Sequence, residues 1–222
     1  MSETSLLDDL ANKYQTDKGT KYPRNSTHGY APIYENYLNK WRHEPIRLLE
    51  IGLSLVPNGV ASVQMWLEYF TAANIYTLDI RDTTGYPIIG EHPRVGFFRG
   101  DQGNRTDIET MYESFGSQPF DFILEDGSHQ HNHQMISLGS MFKYVKSGGY
   151  YILEDISRPG KPCCCERNDE TYTTIINYME TGKLVSEHLL PEEIEYLEST
   201  IDHIDIHIDV QDAYAVAIIT KK

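Results

Sequence analysis

Basic residues are scarce in this 222-residue chain: Lys and Arg number 19 against 33 Asp and Glu, a formal net charge of −14. Phosphate backbones and anionic membrane surfaces repel such a balance, and no basic run offsets it, so neither nucleic acid nor membrane is an expected partner. No uninterrupted apolar stretch approaches the ~20 residues that a bilayer-spanning helix needs. The opening Met1 to Asp9 lacks the basic and apolar regions of a signal peptide, and a cytoplasmic location is the expectation. Cysteine is restricted to one place, Cys163-Cys164-Cys165. Adjacent cysteines bridge poorly, and no nearby histidine pair has zinc-site spacing. They read as reduced residues of the Pro/Gly-rich loop that starts at Ser157. A three-glycine dinucleotide fingerprint is also missing, since only Gly52 follows the first buried strand at such a position.

Acidic strand ends are what the sequence does have. Phe120–Glu125 and Tyr150–Glu154 are short apolar runs, each closing in an acidic pair, Glu125-Asp126 and Glu154-Asp155. Met135, Leu138, Phe142 and Val145 recur at helical spacing between them, giving a strand–helix–strand unit. Such a crossover makes the strands parallel and brings both pairs to one sheet edge. As neighbours they would lie about 4.8 Å apart. Carboxylates that close repel unless a cation lies between them or one takes a proton, and oxygen ligands suit magnesium or another hard divalent ion. Strand ends also carry acids as caps and loop residues, but two pairs at matching ends favour the metal.

The chain length suits one packed domain. Residues 1–45 form a polar, tyrosine-rich N-terminal segment, expected as a helical cap or lid with helices at Leu6–Tyr14 and Ala31–Trp41. From Ile46 to Lys222 a single ligand-binding domain is expected. Strands are expected at Arg47–Ile51, Asn74–Ile80 and Arg94–Phe98, and helices at Val60–Phe70, Asp107–Phe115 and Thr171–Thr181. Alternation of this kind implies an α/β fold, a Rossmann-like doubly wound, mostly parallel sheet. Ile204 to Val210 and Tyr214 to Ile219, joined by Gln211-Asp212, form an antiparallel hairpin. Strand periodicity sets His203, Asp205, His207 and Asp209 on one face, which reads as solvated.

The first strand ends in Leu49-Glu50-Ile51-Gly52 and leads into a helix, a place where a ligand can approach backbone. Asp79 closes the second strand, where a carboxylate can accept from both hydroxyls of a ribose. Gly100-Asp101-Gln102 adds a polar turn at the same edge. Together they read as an adenosine pocket without a pyrophosphate grip.

Glu-x-Gly, the strand-end acid, Gly-Asp-Gln, Asp126-Gly-Ser-His129 and Gly148-Gly-x-x-x-x-Glu-Asp155 occur in that order. In this the chain resembles class I S-adenosylmethionine-dependent methyltransferases, specifically the metal-dependent O-methyltransferases acting on macrolide sugars. Thr16-Asp-Lys-Gly-Thr20 and His28-Gly-Tyr-x-Pro-x-Tyr34 are similar to that group too, so the likeness runs from about Thr16 to Asp155. Members of the group can carry a large additional N-terminal domain, which these residues do not include. The resemblance implies the class I methyltransferase fold, S-adenosylmethionine and Mg2+ as cofactors, and a sugar hydroxyl of a small molecule as acceptor. It implies that Glu50 and Gly52 line the cofactor, that Asp79 holds its ribose, and that Asp101 and Gln102 lie near the adenine. Asp126, Glu154 and Asp155 would hold the metal, and His129 would be the general base. Tyr30 is named as a residue that folds over the cofactor.

Methyl transfer from a sulfonium is an in-line displacement, so alignment supplies much of the rate. A divalent ion can chelate the acceptor oxygen and lower its pKa, and His129 can then take the proton. Ser128 is expected to cap the following helix, with His129 in its first turn. A homo-oligomer stays open, as do two other functions: rearrangement or cyclisation on the same fold, and cofactor binding without turnover.

Overall fold

A computed structural model describes residues 5–21, 27–53, 60–160, 169–211 and 213–222. The cysteine run and Asp212 of the hairpin connection lie outside them. Seven strands form one sheet: β1 Arg47–Ile51, β2 Asn74–Asp79, β3 Val95–Arg99, β4 Phe120–Glu125, β5 Val145–Ser157, β6 Ile201–Ile208 and β7 Tyr214–Lys221. Their order is β3-β2-β1-β4-β5-β7-β6. Neighbours among β1 to β5 run parallel, while β7 is antiparallel to both β5 and β6. The doubly wound sheet with its closing hairpin is therefore as the sequence patterns led us to expect. Its order reverses between β1 and β4, and ligands of open α/β sheets bind at such a point.

Eight helices lie among the described residues: α1 Leu6–Tyr14, α2 Ala31–Leu38, α3 Ala61–Tyr69, α4 Pro87–Gly90, α5 Arg105–Ser114, α6 His131–Met141, α7 Glu170–Thr181 and α8 Pro191–Thr200. Side chains alternate across the strands, so the sheet has a core on each face. On one face Leu48, Phe122, Leu124 and Ile152 pack with Leu7, Tyr34, Val63 and Trp66 of α1 to α3. On the other, Leu49, Ile123 and Leu153 meet Ile108, Leu138, Ile175 and Leu197 of α5 to α8. Phe122 centres the first core, with Trp66 and Phe70 ring centroids 6.0 and 5.8 Å away. Truncating it to Ala would cost about 3–5 kcal/mol.

Three local expectations need correction. The helix after β4 starts at His131 with Gln130 as its N-cap, not at Ser128. Ser128 is used otherwise: its amide donates to Gln102 Oε1 (2.8 Å) and its hydroxyl meets His133 Nδ1 (2.8 Å). His129 consequently stands outside the helix, in the left-handed region at φ 57°. The expected helix Ala31–Trp41 tightens into a 3-10 turn from Asn39. Helix α8 was not anticipated, although Pro191 at its first position and Glu193, accepting from the Leu190 amide at 2.9 Å, are start signals.

Candidate active site

β4 and β5 run side by side with Glu125 opposite Leu153, so Asp126 and Glu154 follow at matching positions; β4 ends there, but β5 does not close at its acidic pair as expected and runs on to Ser157 along β7. Pleating alone would send Glu154 and Asp155 to opposite faces. A bulge prevents this. Leu153 pairs with Ala217 and Ile156 with Ala215, three steps on β5 against two on β7, and Asp155 takes φ 54°. The extra residue re-aims the Asp155 side chain. Left-handed backbone at both Asp155 and His129 is strain of a kind that collects at functional sites.

Asp126, His129 and Asp155 each bring one donor atom to within 4.8 Å of the others. His129 Nε2 lies 3.7 Å from Asp126 Oδ1 and 3.9 Å from Asp155 Oδ2. Glu154 is not in that group. Its Oε2 accepts from Lys18 Nζ at 2.9 Å and its Oε1 from the Tyr34 hydroxyl at 2.5 Å. Burial, with Asp126 and Asp155 close by, raises the Glu154 pKa well above the ordinary carboxylate range although Lys18 and Tyr34 oppose it. The Asp126 and Asp155 carboxylates, converging beside Glu154, are oxygen donors that fit a divalent cation, and the His129 imidazole stands within reach of both.

Most partners of these acids come from the N-terminal segment; Tyr30 was expected over the cofactor, whereas the part of Lys18, His28 and Tyr34 in the site was missed at the level of sequence. Lys18, 1% exposed, bridges Asp126 (2.5 Å) and Glu154. Burial lowers the Lys18 pKa, but Asp126 and Glu154 more than reverse that. Tyr30, fully buried, donates to Asp155 Oδ1 at 3.3 Å, so it stands with the acidic cluster. His28 Nδ1 lies 3.4 Å from Asp155 Oδ1 and 3.3 Å from Asp209 Oδ2. Burial lowers the His28 pKa, and the Asp209 hydrogen bond and Asp155 lift it above the ordinary value. Asp209, expected on a solvated face, is in fact buried: it follows the end of β6 and turns inward, accepting from the Ala213 amide at 2.8 Å. The motifs holding Lys18, His28 and Tyr34 were visible, but contacts across more than a hundred residues leave no periodic trace.

At the neighbouring strand ends, Glu50 is fully buried in β1. Burial pushes its pKa up to about 7 against the pull of Lys18, Ser62 and Trp66. Neither of its oxygens meets a donor in hydrogen-bonding geometry among the described residues. Two buried acceptors at the switch point, approached by Ser62 and Trp66 but met by neither in full hydrogen-bonding geometry, fit a ligand that brings donors. Gly52, at φ 86°, has another reason to be glycine: a Cβ there would lie 2.1 Å from the Asp126 carbonyl oxygen. It lets the turn after β4 cross the end of β1. Asp79 accepts from the Leu53 and Arg81 amides, both at 2.7 Å, and from the Arg81 guanidinium at 3.0 Å. Asp101 accepts from the Gly103 amide at 2.8 Å, and Gln102 donates to Glu125 at 2.6 Å. Both of these side chains shape the turn after β3. Glu50, Gly52 and Asp79 thus lie where β1 and β2 end, and Asp126, His129, Asp155, Glu154 and Tyr30 gather beside them at β4 and β5, with Gly52 packed on the Asp126 carbonyl.

No family model matches the chain. Among curated proteins it is 31% identical over 150 residues to the 8-demethyl-8-(2-methoxy-alpha-L-rhamnosyl)-tetracenomycin-C 3'-O-methyltransferase of Streptomyces olivaceus, covering 66% of this chain and 36% of the relative. Identity is 32% over 153 residues to the demethylmacrocin O-methyltransferase of Streptomyces fradiae, covering 68% and 36%. It is 30% over 153 residues to the mycinamicin VI 2''-O-methyltransferase of Micromonospora griseorubida, again 68% and 36%. The match therefore spans little more than a third of each relative. Among solved structures, the MycE methyltransferase of the mycinamycin pathway, in complex with Mg, SAH and mycinamycin VI, superposes with a TM-score of 0.72 at 24% identity over 99% of this chain and 55% of that one. An O-methyltransferase from Bacillus cereus in complex with SAH has a TM-score of 0.53 at 14% identity, covering 100% and 93%.

Proposed function

We propose, from the premise that this chain is a class I methyltransferase domain related to the macrolide-sugar O-methyltransferases, that it binds S-adenosylmethionine and a divalent cation and methylates a hydroxyl of a sugar or glycosylated small molecule. Convergence of Asp126, His129 and Asp155 at the edge that also carries Glu50 and Asp79 is the observation that supports it most. In this reading Asp126 and Asp155 hold Mg2+ or another hard divalent cation, with Glu154 beside them. The ion's chemistry is to fix an acceptor oxygen and make its proton easier to lose.

His129 takes that proton at Nε2, the nitrogen that faces Asp126 and Asp155. Its left-handed backbone points the imidazole at the strand ends instead of along α6. At the other end, Glu50 accepts from the cofactor and Asp79 from its ribose once the half-exposed Arg81 side chain gives way. Gly52 serves both halves by letting the β4 turn close on β1. Asp101 and Gln102 hold the turn beside the adenine in shape. Residues 1–45 act as a cap, with Tyr30 and Tyr34 closing the acidic end. Among the described residues no helix is long and apolar enough to cross a membrane.

The test is turnover with methyl-labelled S-adenosylmethionine against a panel of glycosides and phenols, with a chelator control. His129→Ala should abolish transfer while S-adenosylhomocysteine still binds in calorimetry. Full activity in that variant would remove the base assignment, and full activity in chelator would remove the metal.

A further inference from the structure

We propose that Lys18 is a resident counter-ion of the acidic cluster, holding Asp126 and Glu154 with one fixed positive charge and competing with a divalent ion for their oxygens. The inference rests on the metal reading above and adds a residue to it.

Lys18 approaches from outside the sheet, between α1 and α2, and its ammonium reaches Asp126 of the β4 turn and Glu154 of β5 together. Its backbone is fixed: the Lys18 carbonyl accepts from the Ala31 amide at 2.8 Å, and the neighbouring Asp17 carbonyl accepts from His28 at 2.9 Å. Only the side chain is free to yield. The Tyr34 hydroxyl has already taken the second oxygen of Glu154, so an ion that ligates Glu154 must share an oxygen with one of these two donors. Sharing with a phenol costs little. Sharing with an ammonium sets two positive charges within a few ångströms in a buried place, where the repulsion is large.

Charge balance points the same way. Lys18 holds a fixed positive charge against Asp126 and Glu154, and a divalent ion drawn to the same oxygens meets that charge, so Lys18 weakens the cluster's hold on the ion. A merely structural lysine would do the reverse. Removing it would leave the carboxylates disordered and the ion bound less well, or would leave binding as it was.

The experiment is calorimetric titration of Mn2+ into the full chain saturated with S-adenosylhomocysteine, for wild type, Lys18→Met and Lys18→Arg. Competition predicts that Lys18→Met binds Mn2+ about tenfold more tightly or better, and that Lys18→Arg, which keeps the charge, stays close to wild type. Equal or weaker binding by a folded Lys18→Met variant would overturn the proposal, as would tightening in Lys18→Arg. If Lys18→Met does not fold, the lysine ammonium resonances of the wild type decide while Mg2+ is added. The buried Lys18 signal must move along the binding curve, and a signal that stays in place overturns the proposal. Failure of wild type to bind S-adenosylhomocysteine and Mn2+ at all would sink the functional reading instead, so the two failures are distinct.

Discussion

Replacing Glu50 with Gln tests whether the crevice holds an acid poised by burial. In the folded chain the Glu50 carboxyl is pushed from 4.5 up to about 7, chiefly by burial. Below the lower value, folded and unfolded chains both hold the proton. Between the two values the folded chain keeps a proton that the unfolded chain has released, so stability falls as pH rises, and the loss is complete above the folded value. At about 1.4 kcal/mol per pH unit, the interval corresponds to about 3 kcal/mol. Glu50→Gln has no proton to lose. Its stability relative to wild type should therefore improve by about 3 kcal/mol between about pH 4 and about pH 8, measured by urea unfolding without ligand. Taking the difference between variant and wild type cancels the other titrating groups to first order. A gap of the same size at both pH values would refute the reasoning, because it would mean that Glu50 is ionised throughout or solvated.

Gly52→Ala should cost at least about 3 kcal/mol, since it combines left-handed strain with a collision against the Asp126 carbonyl. It should also weaken Mn2+ binding, because the Asp126 turn must move; unchanged unfolding and unchanged Mn2+ affinity would show that the turn does not need glycine. Arg81→Ala should tighten S-adenosylhomocysteine binding several-fold by freeing Asp79, with a stability change of less than about 1 kcal/mol because Arg81 is half exposed and the buried Asp79 keeps the Leu53 and residue-81 amides as donors. Asp79→Asn should weaken the same binding, and equal affinities in the two variants would contradict a ribose role for Asp79.

Much of the fold could be read from local patterns. Arg47–Ile51 and Phe120–Glu125 are apolar runs bounded by polar turns, and helical spacing between β4 and β5 forces them parallel, so Asp126 and Glu154 had to meet at one edge. The bulge at Glu154-Asp155 was not legible, because a period of two carries no mark of an inserted residue until the partner strand β7 is present. The helix after β4 starts two residues later than expected, at the cap Gln130 instead of Ser128, which leaves His129 outside it; Ser128 is a good cap in isolation, and only the fold supplies Gln102 and His133 as competing partners. Lys18 was quoted within a motif but given no role. Its contacts span 108 and 136 residues, and nothing local distinguishes a lysine that will be buried from one that will be solvated.

Central to the account is a divalent ion held where β4 ends beside the bulge of β5. Titrating Mn2+ into the wild-type chain, Asp126→Asn and Asp155→Asn, each with S-adenosylhomocysteine bound, measures this directly. One ion per wild-type chain, with binding lost in both variants while S-adenosylhomocysteine still binds, is the result predicted. Wild-type chain that takes up S-adenosylhomocysteine but no Mn2+, or variants that bind the ion as well as wild type does, would contradict it.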